Sequence, residues 1–318
     1  MVAPHTAGDP LSAPKWLNCR LRDIREQLKA QGHRVSKPVI SRLLRAQGYS
    51  LRATVKQAAG TQHPERDQQF AQIQAQRAAH QAAGQPVISV DTKKKEVVGN
   101  FKNAGQIWCE AAEVVDAHDC PQDAIGRAVP SGIYDLCHNR GTVYVGQSAD
   151  TPAFAVDTIA HWCATELQER FPGATPLLIE ADSGGSNSAR SGVWKQALQE
   201  QVADRVGLRV TVCHYPTGAS KGNPIEHRLF SEISKTWAGC PLRSFEVVLQ
   251  DMGETQTATG LKVAAHRVPI VYAKGVKIPD EEMATLNIQA HAVCPQWNYT
   301  LHPRVDRTSS CHDAEVIL

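Results

Sequence analysis

No stretch of this 318-residue chain approaches the roughly 20 consecutive apolar residues that a membrane helix needs. The first ten residues, Met-Val-Ala-Pro-His-Thr-Ala-Gly-Asp-Pro, lack the apolar centre of a secretory signal, so a cytoplasmic protein is expected. No Cys-x-x-Cys pair occurs. The nine cysteines are scattered and odd in number, which reads as reduced thiols and excludes a disulfide frame or a zinc site. What remains is ordinary globular composition, 42% hydrophobic and 21% charged, long enough for one large core and a small accessory domain.

The net charge of +2 hides an uneven distribution. Residues 1–60 hold eleven Lys/Arg against three Asp/Glu, a net +8, which leaves about −6 on the remainder. A basic module of this kind gains affinity for phosphate by releasing counterions. Helical periodicity in the same segment argues against a merely solvated tail. Leu21, Ile24 and Leu28 form one apolar stripe that ends at Gly32. Ser36 suits the N-cap of a second helix with Pro38 in its first turn, and Val39, Ile40, Leu43 and Leu44 face inward. Two short helices around a tight turn give a helix-turn-helix layout. Lys37, Ser41, Arg42 and Arg45 fall on the outer face of the second helix, the face that would enter a DNA major groove.

By texture the chain divides into a helix-turn-helix region over 1–56, a linker and connecting helix over 57–85, an α/β region over 86–303 and a tail over 304–318. Pro86–Asp91, Glu96–Phe101 and Ile107–Val115 have strand character, and Asn139-Arg140-Gly141 turns a hairpin between Ile133–Cys137 and Thr142–Gln147. Helix Phe154–Phe171, strand Leu177–Asp182, helix Arg190–Val206, strand Leu208–Cys213 and helix Ile225–Trp237 follow. Beyond Phe245 the pattern weakens to mixed strand and loop. Antiparallel strands followed by alternating helix and strand predict a mixed sheet with helices on both faces, the ribonuclease-H-like layout.

Three carboxylates stand at ends of these elements. Asp91 closes the first strand, Asp182 closes the run Pro176–Ala181, and Glu226 opens the helix Asn-Pro-Ile-Glu-His-Arg-Leu-Phe. In an open α/β sheet, strand C-termini and helix N-termini gather at one edge, where ligands bind. Carboxylates brought together there repel unless cations lie between them. Each has a plainer reading. Asp91 could simply end a strand, Asp182 could cap the turn Asp182–Asn187, and Glu226 could complete a capping box with Asn223. Glu180 shares a face with Asp182 and is a secondary candidate. Lys93, Lys94 and Lys95 could contact phosphate or form a solvated turn; His214, Lys221, His227 and Arg228 flank the site.

The segments Val87–Glu96, Gly99–Gly105, Glu180–Asn187, Cys213–Gly218, Ile225–Phe230 and Trp297–Thr300 together resemble the ISAzo13-type insertion-sequence transposases, in order and over about Thr6 to Pro303. The resemblance implies a DDE transposase with a ribonuclease-H-like domain in which Asp91, Asp182 and Glu226 bind metal. It implies two Mg²⁺ ions roughly 3.5–4 Å apart, with Mn²⁺ able to substitute, and cleavage and strand transfer at element ends. The partners implied are terminal-repeat and target DNA and, on DNA, further copies of the chain. Two departures are visible: Gly222 stands where family members usually carry Trp, and the chain starts where relatives still have upstream helices. The alternatives are an inactive remnant that only binds DNA, or an ATPase of the actin and sugar-kinase type. The second lacks the matching glycine turn after Asp91.

Overall fold

The computed structural model describes residues 20–50, 63–117, 120–219 and 222–304, together with the backbone of 6–8 and 15–17. Two compact units divide at residues 60 and 61. Most of the linker before the connecting helix, and residues 305–318 of the expected tail, lie outside the described residues.

The smaller unit pairs β1 (Thr6–Gly8) with β2 (Lys15–Leu17) antiparallel, followed by α1 (Leu21–Ala30) and α2 (Lys37–Ala46). Gly32 and Gly48 take φ of +86° and +83° just past the two helices, a left-handed stop that glycine adopts freely. Ile24 and Ile40 are the buried residues of the pair. Leu43 is not: it is 52% exposed and stands next to Arg42 on the outer side. Lys37, Arg42 and Arg45 are exposed and Ser41 is half-buried.

The larger unit opens with α3 (Arg66–Ala82) and is built on one sheet. Its strands are β3 (Val87–Thr92), β4 (Glu96–Val98), β5 (Gly126–Asp135), β6 (Arg140–Gly146), β7 (Pro176–Asp182), β8 (Arg209–Tyr215), β9 (Lys262–Val268), β10 (Ile288–Ala290) and β11 (Asn298–Leu301). The order across the sheet is β10-β11-β8-β7-β3-β5-β6-β9, with β4 added on β5. β3, β7 and β8 run parallel, and β5 runs antiparallel between β3 and β6. The five-strand centre β6-β5-β3-β7-β8 is the ribonuclease-H-like sheet, with helices on both faces.

On one face Ile88, Val90, Ile133, Ile179 and Val212 meet α4 (Pro152–Trp162) and α6 (Gly192–Ala197) through Phe154, Trp162 and Trp194. α4 continues through a wide π-type segment, Cys163–Leu167, into α5 (Gln168–Arg170). The other face carries Tyr134, Val143 and Val145 beneath the helical run that passes through Glu226–Phe230 into α7 (Ser231–Thr236), and α8 (Phe245–Gly253) packs there too. A short α9 (Asp280–Met283) completes the helices among the described residues.

Three expectations change. Ile107–Val115 forms no strand. Gly105, at φ +115°, turns the chain so that Gly239 N–H donates to the Ala104 carbonyl, and Ile107, Trp108 and Val114 are exposed with no sheet neighbour. Phe245–Gly253 is a helix, not strand or loop. Ser244 caps it by accepting the Val247 amide at 3.3 Å, and Phe245, Val248 and Met252 repeat on its buried side. The connecting helix α3 is part of the larger unit itself.

α3 is fastened at two places. Gln69 is fully buried and donates to the His214 carbonyl and to Asn298 Oδ1, both at 2.8 Å. Arg77 grips Glu180 with Nε at 2.7 Å and Nη2 at 2.5 Å, and Tyr215 OH donates to the same carboxylate at 2.7 Å. Glu180 is fully buried, so removing its cation leaves an uncompensated charge. Arg77→Ala is expected to lower unfolding free energy by about 3 kcal/mol in urea denaturation at neutral pH. Arg77→Met combined with Glu180→Gln is expected to recover much of that loss.

Candidate active site

Register brings the first two carboxylates together. β3 and β7 are parallel neighbours whose last paired residues are Val90 and Ala181, so Asp91 and Asp182 follow side by side at the same strand ends. Alternation puts Ser89, Asp91, Glu180 and Asp182 on one face of the sheet. That is the face covered by the helix bearing Glu226.

Sequence chemistry explains how this helix comes so close. Asp91 pairs with Gly132 on β5, and a Cβ at Gly132 would stand 2.5 Å from the Phe230 ring and 3.1 Å from Ile225. A Cβ at Gly141 would likewise collide with Leu229. Bare backbone at two sheet positions therefore seats the helix. Ser89 then ties its beginning to β3: its hydroxyl donates to Asn223 Oδ1 and accepts the Ile225 amide at 3.3 Å. The Asn223 oxygen thus reaches across to the strand rather than capping its own helix, and Glu226 turns toward Asp91.

All three carboxylates are half-buried. Burial pushes Asp91 up to about 8; the Thr92 amide, donating at 2.7 Å, opposes the rise. The charges of Asp182 and Glu226, and a hydrogen bond with the Glu226 side chain, raise it further. Burial also raises Asp182 above the usual carboxylate range, against the Ser183 amide at 2.8 Å. Among the described residues no three His, Cys, Asp or Glu side chains stand close enough to hold a metal ion unaided. The donor set is nonetheless hard oxygen, crowded enough to retain a proton near neutrality, and suits a hard divalent cation that keeps part of its water shell.

The surrounding residues divide into structural and accessible groups. Lys93 is 6% exposed, neither a solvated turn nor free for phosphate. Its ammonium lies 3.0 Å from Glu96 Oε1 and 4.5 Å from the Trp237 ring centre. Lys95 pairs with Asp150 at 3.3 Å, and Lys94 is exposed. Glu180 belongs to the Arg77 ion pair. His214 is fully buried, its pKa pushed down to about 4 by burial, and bonds the Asp182 carbonyl and Tyr299 OH. It supports β7 from behind. His227 and Arg228 are exposed, and Lys221 lies outside the described residues.

Sequence reasoning missed Asp150. It accepts a hydrogen bond from Thr92 Oγ1 at 3.1 Å, and Ser186 Oγ lies 3.3 Å from that hydroxyl. No local pattern marks a carboxylate in the loop between a hairpin strand and a helix. At Gly222, a Cβ would sit 2.6 Å from Phe70 of α3, so the Phe70 ring fills the aromatic space beside the helix.

The model of the family described as Rhodopirellula transposase DDE domain matches residues 1–303. No curated protein matches the chain. Among solved structures, the chain is similar to a Mos1 transposase paired-end complex with left transposon end, with TM-score 0.44 and 11% identity over 76% of this chain and 72% of that one. It is similar also to a Mos1 mariner paired-end complex with Mn, with TM-score 0.44 and 13% identity over the same shares.

Asp91 holds its proton more tightly folded than unfolded, so the metal-free protein is expected to lose stability as pH rises from about 4 to about 8. Asp91→Asn should flatten that slope and raise the metal-free melting temperature at pH 8 by at least about 2–4 °C, read by calorimetry across the pH range.

Proposed function

The chain belongs to the Rhodopirellula transposase DDE domain family, and from that premise we propose that it cleaves DNA at the ends of a mobile element and transfers the freed strand to target DNA, using divalent metal. The observation that carries this reading is the meeting of Asp91 and Asp182 on adjacent strand ends, with the Glu226 carboxylate near enough to help raise the Asp91 pKa. A mostly structural acidic edge would have cations of its own protein beside it. Among the described residues the buried Lys93, which senses the Glu226 charge, is already paired with Glu96.

In this reading Asp91, Asp182 and Glu226 hold Mg²⁺, or Mn²⁺ in its place. When bound, such ions neutralise the carboxylates, lower the pKa of an attacking oxygen and stabilise the leaving one. Water attacks the phosphodiester at the element end; the new P–O bond forms as the bond to the 3′ oxygen breaks, leaving a 3′-hydroxyl. That hydroxyl then attacks a target phosphodiester and releases a target 3′-hydroxyl in turn. Exposed Lys94, Arg228 and the Ser183–Gly185 turn line the approach available to the DNA backbone.

DNA capture is assigned to Lys37, Ser41, Arg42 and Arg45 on α2, where the three cations are exposed and no acidic residue stands in the helix's first turn. A transposase joining two ends to one target works as more than one copy on DNA. No helix of the described residues is long and apolar enough to cross a membrane.

Asp182→Ala is expected to slow Mg²⁺-dependent nicking of labelled element ends at least about a thousandfold, some 4 kcal/mol of barrier, with end binding intact. Nicking at the wild-type rate would remove Asp182 from the centre, and end binding with no metal-dependent product in the wild type would leave a DNA-binding protein only. Replacing Arg42 and Arg45 together by Ala should weaken end binding and flatten the log–log salt dependence by about 2.

A further inference from the structure

Asn223 stands three residues before Glu226 and is fully buried. Its side chain has an internal asymmetry. Ser89 Oγ accepts the Ile225 amide and donates its own proton to Asn223 Oδ1, so the amide oxygen faces the strand. The other end, Nδ2, is buried with no hydrogen-bond partner among the described residues. A buried donor left unmatched costs about 1–3 kcal/mol, and Ala or Leu at this position would avoid the cost. Packing alone gives no reason for an amide here.

Position supplies one. Ser89 lies two residues before Asp91 on the same strand and the same face, and its hydroxyl also holds the Ile225 amide next to Glu226. The Ser89–Asn223 and Ser89–Ile225 bonds thus tie the strand that carries Asp91 to the start of the Glu226 helix.

We infer that Asn223 is a positioning residue of the acidic centre: through Ser89 it sets the Asp91–Glu226 spacing, and its Nδ2 donates to the hydrated divalent ion's water shell or to a carboxylate oxygen once the centre is loaded. This rests on the metal-dependent reading of the same site and deepens it. Outer-shell partners of metal ligands typically carry about 10- to 100-fold in metal affinity. Because Ser89 and Asn223 act through one bond, their removal is not additive.

The test uses full-length protein with Asn223→Ala, Ser89→Ala and the double variant. Mn²⁺ binding is measured by calorimetry without DNA, alongside the Mg²⁺ half-saturation of nicking at saturating end DNA. Asn223→Ala is expected to weaken Mn²⁺ binding and raise the Mg²⁺ half-saturation by about 10-fold or more, with DNA-end affinity unchanged. The double variant is expected to be no worse than Asn223→Ala alone. Should Asn223→Ala fail to fold, Ser89→Ala, which removes a single hydroxyl, carries the same expectation. Wild-type metal affinity in both variants, with only a lowered melting temperature, would make the pair a plain brace and overturn the inference. A wild-type protein that binds no Mn²⁺ would overturn it together with the metal reading beneath it.

Discussion

The centre exists because one helix lies unusually close to the sheet. Glu226 belongs to an element far from β3 in sequence, and only bare backbone at Gly132 and Gly141 lets Ile225, Leu229 and Phe230 settle where side chains would otherwise stand. Once that contact is made, the remaining geometry follows from register. Asp91 faces Gly132, Asp182 follows the last paired residue of β7, and Ser89 ties the helix start to the strand. The cost of the arrangement is electrostatic. Three half-buried carboxylates stand near one another, and burial together with the neighbouring charges pushes Asp91 up to about 8.

A second layer keeps this crowded edge from relaxing. Behind Asp182 on the same strand, Glu180 is neutralised by Arg77 from α3 and hydrogen-bonded by Tyr215 from β8. His214 holds the Asp182 carbonyl from the β8 side, and burial keeps its ring neutral. Lys93 satisfies Glu96 over the Trp237 ring. Glu180 and Glu96 thus each have a dedicated cation close to the acidic edge.

Much of this was legible in the sequence. The apolar runs ending in Asp91 and Asp182 read as strands because parallel strands buried on both faces are nearly continuous in Val, Ile and Leu. The helix after Asn223-Pro224 was marked by its start signal. What stayed hidden is what depends on partners distant in sequence. Ile107–Val115 has strand composition, but Gly105 turns the chain just before it, where Gly239 N–H donates to the Ala104 carbonyl. The Phe245 helix carried a serine cap that a weak periodic pattern obscured. Leu43 lies on the exposed side of α2, although periodicity alone assigns it to the core. Glu180 and Asp182 are indistinguishable by alternation, and only Arg77 separates their roles. Asn223 read as a helix cap because nothing local shows that Ser89 competes for its oxygen.

The last strand has a consequence for how such a gene decays. β11, Asn298–Leu301, is the neighbour that covers β8, and Asn298 receives the buried Gln69 amide from the first helix of the unit. Translation must therefore pass Leu301, well downstream of Glu226, before the sheet loses its open β8 edge. A late stop codon or frameshift, far downstream of all three carboxylates, would leave an intact acidic signature in the gene and an aggregation-prone polypeptide in the cell.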